Sequence, residues 1–149
     1  MVAKHVDELS GIVVDECIRS HRELGPGLLE SVYEALLAAR LQANGWLVER
    51  QERIGAEFES IRFDAPLRAD LVVEARLLVE VKSVDRLMPV HSKQLLTYLR
   101  LMKQPVGLLL NFGGATLKEG VRRIVNDYNP SASPLSSPRL RVNTSSSGV

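Results

Sequence analysis

Residues 68–84 read RADLVVEARLLVEVKSV, two apolar, valine-rich runs separated by Glu74-Ala75-Arg76 and each carrying charge. Short β-branched runs with a period of two form strands, and two runs this close form a hairpin. Such strands ordinarily fill the middle of a sheet. Yet Glu80 and Lys82 stand on one face of the second strand, with Leu78 and Val84. On the first strand, Asp70, Val72 and Glu74 share a face. Loop parity decides whether the two charged faces coincide. A two-residue loop at Ala75-Arg76 pairs Asp70 with Val81 and turns it away from Glu80. A three-residue loop pairs Val73 with Leu77 and sets Asp70 across from Glu80, as does a five-residue loop, with Cβ atoms roughly 5 Å apart. The odd loop is expected, because an even one scatters three charges over both faces of a mostly apolar hairpin.

Upstream, HVDELSGIVVDECIRSHREL (5–24) has Leu9, Ile12, Val13, Cys17 and Leu24 near helical spacing, and the Gly-Pro-Gly at 25–27 stops that helix. A second helix follows in LLESVYEALLAARLQANG (28–45), with Leu29, Val32, Tyr33, Leu36, Leu37 and Leu41 on one face and Gly45 as its stop. The pattern then becomes β-like, and one strand is predicted from about Trp46 to Phe58, with IRF (61–63) continuing it after a turn. Downstream of the hairpin, after a loop containing Pro89, HSKQLLTYLRLMK (91–103) is a helix with Ser92 as N-cap and Leu95, Leu96, Leu99 and Met102 inward. VGLLLNF (106–112) is a buried strand, and GATLKEGVRRIVNDY (114–128) carries a mixed signal, helix turn or edge strand.

The order α-α-β-β-β-α-β implies an α/β (α+β) layered domain: an antiparallel meander, then a crossover helix leading to one more strand of a mixed sheet. A single domain is expected over 1–128, followed by a Ser/Pro-rich disordered tail over 129–149. Residues 131–149 alone hold seven serines and two prolines.

The 149 residues suit one domain. With a net charge of +1, the chain lacks a strongly basic coat for nucleic acid, although a local basic groove remains open. Its one cysteine, Cys17, excludes a disulfide framework or cysteine zinc site within the chain and makes a reducing, cytoplasmic setting the default. The N-terminal stretch has no apolar core of a signal peptide, and no apolar run approaches the ~20 residues that span a bilayer, so no membrane partner is expected. No Ser-His-Asp pattern, phosphate loop or dinucleotide fingerprint is present.

Two carboxylates face to face repel, and burying one without a partner costs several kcal/mol or shifts its pKa. A divalent cation removes both problems. Mg²⁺ takes one or two carboxylates and fills its remaining positions with water or substrate phosphate. Lys82 then stands one step along the same face, where an ammonium stabilises hydroxide and the charge developing on a phosphate. The spacing equally allows an Asp70–Lys82 salt bridge at a solvated sheet end, with Glu80 merely exposed.

These residues resemble the PD-(D/E)xK nuclease motif, with Asp70 as the D, Glu80 as the (D/E) and Lys82 as the K. The element order from the second helix onward is similar to that superfamily's restriction-endonuclease-like core. A bacterial branch, the GxxExxY proteins, is more similar still: Gly27-Leu28-Leu29-Glu30-Ser31-Val32-Tyr33 matches its naming motif, and LLTYLRL, GLLLNFG and LKEGVRRIVN also resemble it. The likeness spans roughly His21 to Asn126. Gln94-x3-Tyr98 is similar to the Q-x3-Y motif of RecB-type exonucleases, and at i and i+4 both side chains lie on one helix face.

The resemblance implies a Mg²⁺- or Mn²⁺-dependent deoxyribonuclease acting on DNA. Asp70 and Glu80 bind the metal and Glu30 assists directly or through water. Lys82 activates the water, Gln94 supports the lysine, and Tyr98, Arg68 and Lys93 contact substrate. A homodimer is compatible with such an enzyme. The alternative is a catalytically inactive nucleic-acid-binding or protein-interaction module on the same fold. Basic residues available to phosphates include Arg86 and Arg100, with Lys118, Arg122 and Arg123 as a second group. Bland readings accompany several of these. Glu30 sits in a first helical turn, where the macrodipole favours a carboxylate. Tyr98 suits a core position with a bonded hydroxyl. His5 and His21 are expected to be solvated, His91 to cap its helix, and Cys17 to pack in the core.

Overall fold

The chain opens with two helices, α1 (Val6–Leu24) and α2 (Glu30–Ala43). It continues through β1 (Val48–Ile54), a small hairpin of β2 (Glu57–Phe58) and β3 (Ile61–Arg62), then β4 (Leu67–Val73) and β5 (Leu77–Lys82). Helix α3 (Pro89–Met102), β6 (Val106–Asn111), a 3-10 turn (Lys118–Gly120) and β7 (Val121–Val125) complete it. This is a computed structural model, and it describes residues 5–54, 57–62 and 67–127. The tail expected over 129–149 lies outside the described residues.

One five-stranded sheet has the order β1-β4-β5-β6-β7. Only β5 and β6 run parallel; the other neighbours are antiparallel. Parallel neighbours need a crossover, and α3 provides it. Helices α1 and α2 cover one face, where Leu9, Val13, Tyr33, Leu37 and Leu41 pack on Leu71, Val79, Val81 and Leu108. Helix α3 covers the other with Leu95, Tyr98 and Leu99 on Val72, Leu78 and Leu109. With both faces covered, β5 and β6 are buried along nearly their whole length. Each fully buried leucine there contributes about 1.5–3 kcal/mol by leaving water, which offsets the cost of keeping a carboxylate in the same strand.

The predicted odd loop forms, and it has three residues: Val73 pairs with Leu77, and Arg76 N donates to Val73 O over 3.0 Å. The long strand to Phe58 does not form. It stops at Ile54, and Glu57–Phe58 pairs instead with Ile61–Arg62 in a separate sheet, so Ile61 and Arg62 do not extend the main one; Phe63 lies outside the described residues. Glu59 and Ser60 both take positive φ, 51° and 66°, the requirement of a tight two-residue hairpin turn.

Helix α3 begins three residues before the expected Ser92 cap. Pro89 fits its first turn, where no N–H is needed, and His91 Nδ1 accepts from Met88 N at 3.0 Å. Ser92 is buried inside the helix. The mixed signal at 114–128 resolves into both options, a 3-10 turn and then edge strand β7. Leu24, Leu29 and Val32, read as inward, stay exposed. His21, read as solvated, is buried; its Nε2 donates toward Phe112 O at 3.2 Å and Gly114 O at 3.0 Å, tying α1 to the chain after β6. Among the described residues, no helix is long and apolar enough to cross a membrane.

Candidate metal centre

Strands β4 and β5 pair from Val73↔Leu77 to Leu71↔Val79 and then part. Beyond that point β4 stays on β1 through Ile54↔Leu67, while β5 stays on β6 through Lys82↔Asn111. Asp70 and Glu80 are the next residues in register, so both carboxylates stand at the fork. They take over the ladder there. Asp70 N donates to Glu80 Oε1 at 3.2 Å, and Val81 N donates to Asp70 Oδ2 at 2.8 Å. No Asp70–Lys82 salt bridge is present among the described residues.

The alternation of β4 also slips at this point. Leu71 and Val73 face α1 and α2, but Ala69 joins Val72 on the α3 side, with Leu67 packed against that cluster. Across from Asp70, between the pairs Arg50↔Leu71 and Glu52↔Ala69, Gln51 of β1 has φ 52°. Strict period-two reasoning does not reveal this slip, which brings the Asp70 carboxylate within reach of the Val81 N–H.

Glu80 is only 6% exposed, which removes the alternative of a surface residue beside an Asp70–Lys82 salt bridge. Burial pushes its carboxyl up to about 8, and the Asp70 charge adds to the rise; the Asp70 N–H and the Lys82 ammonium oppose it. The Glu80 carboxyl is thus driven to keep its proton beside Asp70. Lys82 ends β5 on the Glu80 face, half-buried. From α3, Gln94 Nε2 donates to the Tyr98 hydroxyl at 3.1 Å. The Tyr98 hydroxyl is raised above its ordinary value by burial and then by the charges of Glu80 and Asp70, which places it in their field.

Glu30 reaches the same strand end by another route. Its Oε2 accepts from Ser83 N at 3.1 Å, one residue past Lys82, and Ser83 Oγ donates to Leu28 O at 2.8 Å. Tyr33 holds this segment: its hydroxyl donates to Gly25 O and accepts from Leu28 N at 3.2 Å, while its ring stacks on Phe112 at 4.3 Å. Gly27 has φ 105°, a conformation glycine adopts without strain. The spacing Gly27-x2-Glu30-x2-Tyr33 therefore has a mechanical meaning: a turn, a docking carboxylate and a pin. Tyr33→Phe is expected to lower stability by about 1–2 kcal/mol, since the Leu28 N–H and Gly25 O lose their partner. An unchanged denaturation midpoint would show that the stacked ring alone holds the segment.

Among the described residues, no group of three or more His, Cys, Asp or Glu gathers as a ligand set. Asp70 and Glu80 meet, and Glu30 stands apart from them at Ser83. Two facing carboxylates, one of them driven to take a proton, nonetheless fit a hard divalent ion that completes its shell with water and phosphate. Arg68 and Lys93 are exposed on β4 and α3. In the second basic group, Arg122 turns onto Glu119 O and Val121 O, and Arg123 pairs with Asp7.

Three supports escape the sequence reading. Glu34, one turn after Glu30 on α2, is buried and accepts from Arg50 Nε at 3.1 Å and Gln51 Nε2 at 2.8 Å. Its i+4 spacing from Glu30 is the one signal that pointed to it. Gln51 also reaches Asp70 Oδ1 at 3.4 Å. Asn111 clamps the exit of β5, with Oδ1 accepting from Val84 N and Nδ2 donating to Val84 O, both at 2.9 Å. Gly113 is forced by this approach, as a Cβ there would lie 2.1 Å from Val84 O.

No curated protein and no solved structure matches the chain. A family model described as the PD-(D/E)XK nuclease superfamily matches residues 7–124, which takes in every strand and helix of the five-stranded core but the ends of α1 and β7. The two helices, the mixed sheet and the crossover helix are consistent with a restriction-endonuclease-like core. With a match over most of its length, the chain belongs to the PD-(D/E)XK nuclease superfamily.

Proposed function

We propose that the protein is a metal-dependent nuclease that hydrolyses phosphodiester bonds of DNA, and that it falls in the GxxExxY branch of its superfamily. The observation that carries this reading is the Asp70–Glu80 pair at the fork, a half-buried carboxylate against a buried one, with Lys82 on the same strand. Asp70 and Glu80 would hold a Mg²⁺ or Mn²⁺ ion, and Glu30, bonded to Ser83 N, would assist directly or through water. When bound, the ion supplies Lewis acidity toward the phosphodiester and a lowered pKa for water. Lys82 orients the attacking water and stabilises charge developing on the phosphate. The water oxygen bonds to phosphorus and gives up a proton to solvent, the ester bond to the leaving sugar oxygen breaks, and that oxygen takes up a proton from solvent. Gln94, bonded to the Tyr98 hydroxyl, would support the lysine from α3. Arg68 and Lys93 contact phosphates, which positions a strand without reading its sequence.

A panel of single-stranded, duplex, nicked and branched DNA and of RNA, titrated with Mg²⁺ and Mn²⁺, tests the activity. Lys82→Ala is expected to slow cleavage about 10²- to 10³-fold while Mn²⁺ binding, read by calorimetry, persists. Cleavage that survives Lys82→Ala, or no cleavage of any substrate by the parent protein, would sink the reading. The alternative, an inactive nucleic-acid-binding or protein-interaction module, draws on the lack of a gathered third ligand among the described residues. It predicts no Mn²⁺ binding that Asp70→Ala removes.

A further inference from the structure

Gln51 lies in the middle of β1 with its neighbours Arg50 and Glu52 both in ladder pairs, yet its φ is 52°. That left-handed conformation costs energy for any residue with a Cβ, and it persists where the surroundings over-determine it. Here the surroundings are two carboxylates. The Gln51 Nε2 donates to Glu34 Oε1 at 2.8 Å and to Asp70 Oδ1 at 3.4 Å. Both partners only accept when ionised, so the amide must turn its NH₂ toward them, and its two hydrogens serve one each. Glu34 is buried at 5% exposure and is neutralised by Arg50, whose Nη2 lies 3.0 Å from its Oε2. It is therefore a fixed anchor on α2.

The Asp70 carboxylate is then held from both neighbouring strands. Gln51 of β1 donates to Oδ1 and Val81 of β5 donates to Oδ2 at 2.8 Å. One donor per oxygen fixes the plane of the group and leaves each oxygen a free lone pair. An amide suits this place chemically. A lysine would neutralise Asp70 and compete with a cation, and a glutamate would add a third carboxylate to two that already repel.

We propose that Gln51 is a positioning residue, which the Glu34–Arg50 pair anchors and which sets the Asp70 carboxylate for cation binding. The proposal rests on the reading of Asp70 and Glu80 as a cation site. The strain at Gln51 separates this role from mere support of the fold. Gln51→Gly relieves the left-handed backbone and removes the donor, so the metal-free protein is expected to melt no lower than its parent. Its Mn²⁺ affinity is expected to fall about tenfold, the loss typical of an outer-shell partner. Gln51→Leu, which keeps bulk and strain but has no donor, gives a similar loss of affinity.

The experiment is calorimetric Mn²⁺ titration of the full chain, with thermal melts of the same metal-free samples. Affinity within twofold of the parent in both variants overturns the positioning role and leaves the cation site standing. A parent protein that binds Mn²⁺ no better than Asp70→Ala overturns the cation site and, with it, this inference. An affinity loss in Gln51→Gly that comes with a lowered melting temperature and is absent in Gln51→Leu assigns the residue to the fold, against the proposal.

Discussion

Glu80→Gln is expected to stabilise the metal-free protein above pH 8 and, on the proposed function, to cut metal-dependent cleavage sharply. Glu80 is 6% exposed in a strand otherwise filled by Leu77, Leu78, Val79 and Val81, all at 0%. Its ionised form has left water without a full counter-charge, which is why its carboxyl titrates near 8 rather than 4.5. Glutamine has nearly the same shape and no charge. Its Oε1 still accepts the Asp70 N–H, and its NH₂ donates to the Asp70 carboxylate where two carboxylates once repelled. Replacing a poorly compensated buried charge by a satisfied neutral group stabilises a fold, here by several degrees in melting temperature. The same change deletes an anionic ligand, and cleavage is expected to drop by at least about 10²- to 10³-fold. Differential scanning calorimetry at pH 9 with chelator and a nuclease assay check the two halves. A variant that melts below its parent at that pH contradicts the electrostatic account of the fork, and one that still cleaves contradicts the role of Glu80 in holding metal.

The second large effect is on pH. Because the folded-state pKa of Glu80 lies above its unfolded value, the folded chain binds this proton more tightly. The associated stability is fully present below about 4.5 and is lost as pH rises toward and through about 8. Metal-free protein is therefore expected to lose a few kcal/mol from this group over that window. The exposed Glu23, drawn down by Arg40, and the exposed Glu52, pushed up by Glu49, also titrate differently from free carboxyls. Subtracting the Glu80→Gln profile removes their contributions. Mg²⁺ competes with the proton, so it should raise the melting temperature more at pH 8.5 than at pH 5.5. Equal shifts at the two values, or parallel pH profiles of parent and variant, would show that Glu80 is not the titrating group.

Much of this is legible in residues 68–84. The apolar runs demand burial, the burial demands that the charges share a face, and an odd loop is what that sharing requires. The element order follows from the same kind of local pattern. What escapes has a common physical origin, since it depends on contacts between residues far apart in the chain. Glu59-Ser60 contains none of the glycine or asparagine that marks a tight hairpin, so that turn is silent in the sequence. The burial of His21 depends on carbonyls at 112 and 114. The link from Glu34 through Gln51 to Asp70 joins α2, β1 and β4, and only its first residue sits at a suggestive spacing. The motif at Gly27, Glu30 and Tyr33 is visible as a pattern, but its work as turn, dock and pin needs Ser83, Gly25 and Phe112.

The fork between β4 and β5 also constrains how such a site decays. Where the strands part, the Asp70 and Val81 N–H groups have lost their cross-strand carbonyls and depend on the two carboxylates as acceptors. The proposed metal ligands are thus also seam stitches of the sheet. A descendant that abandons catalysis cannot discard them for alanine without leaving polar backbone unpaired inside the protein. Asparagine and glutamine keep the stitches and discard the charge. On the proposed function, a relative that has lost the activity would therefore be marked by amides at positions 70 and 80, and its metal-free sheet would hold more firmly than this one.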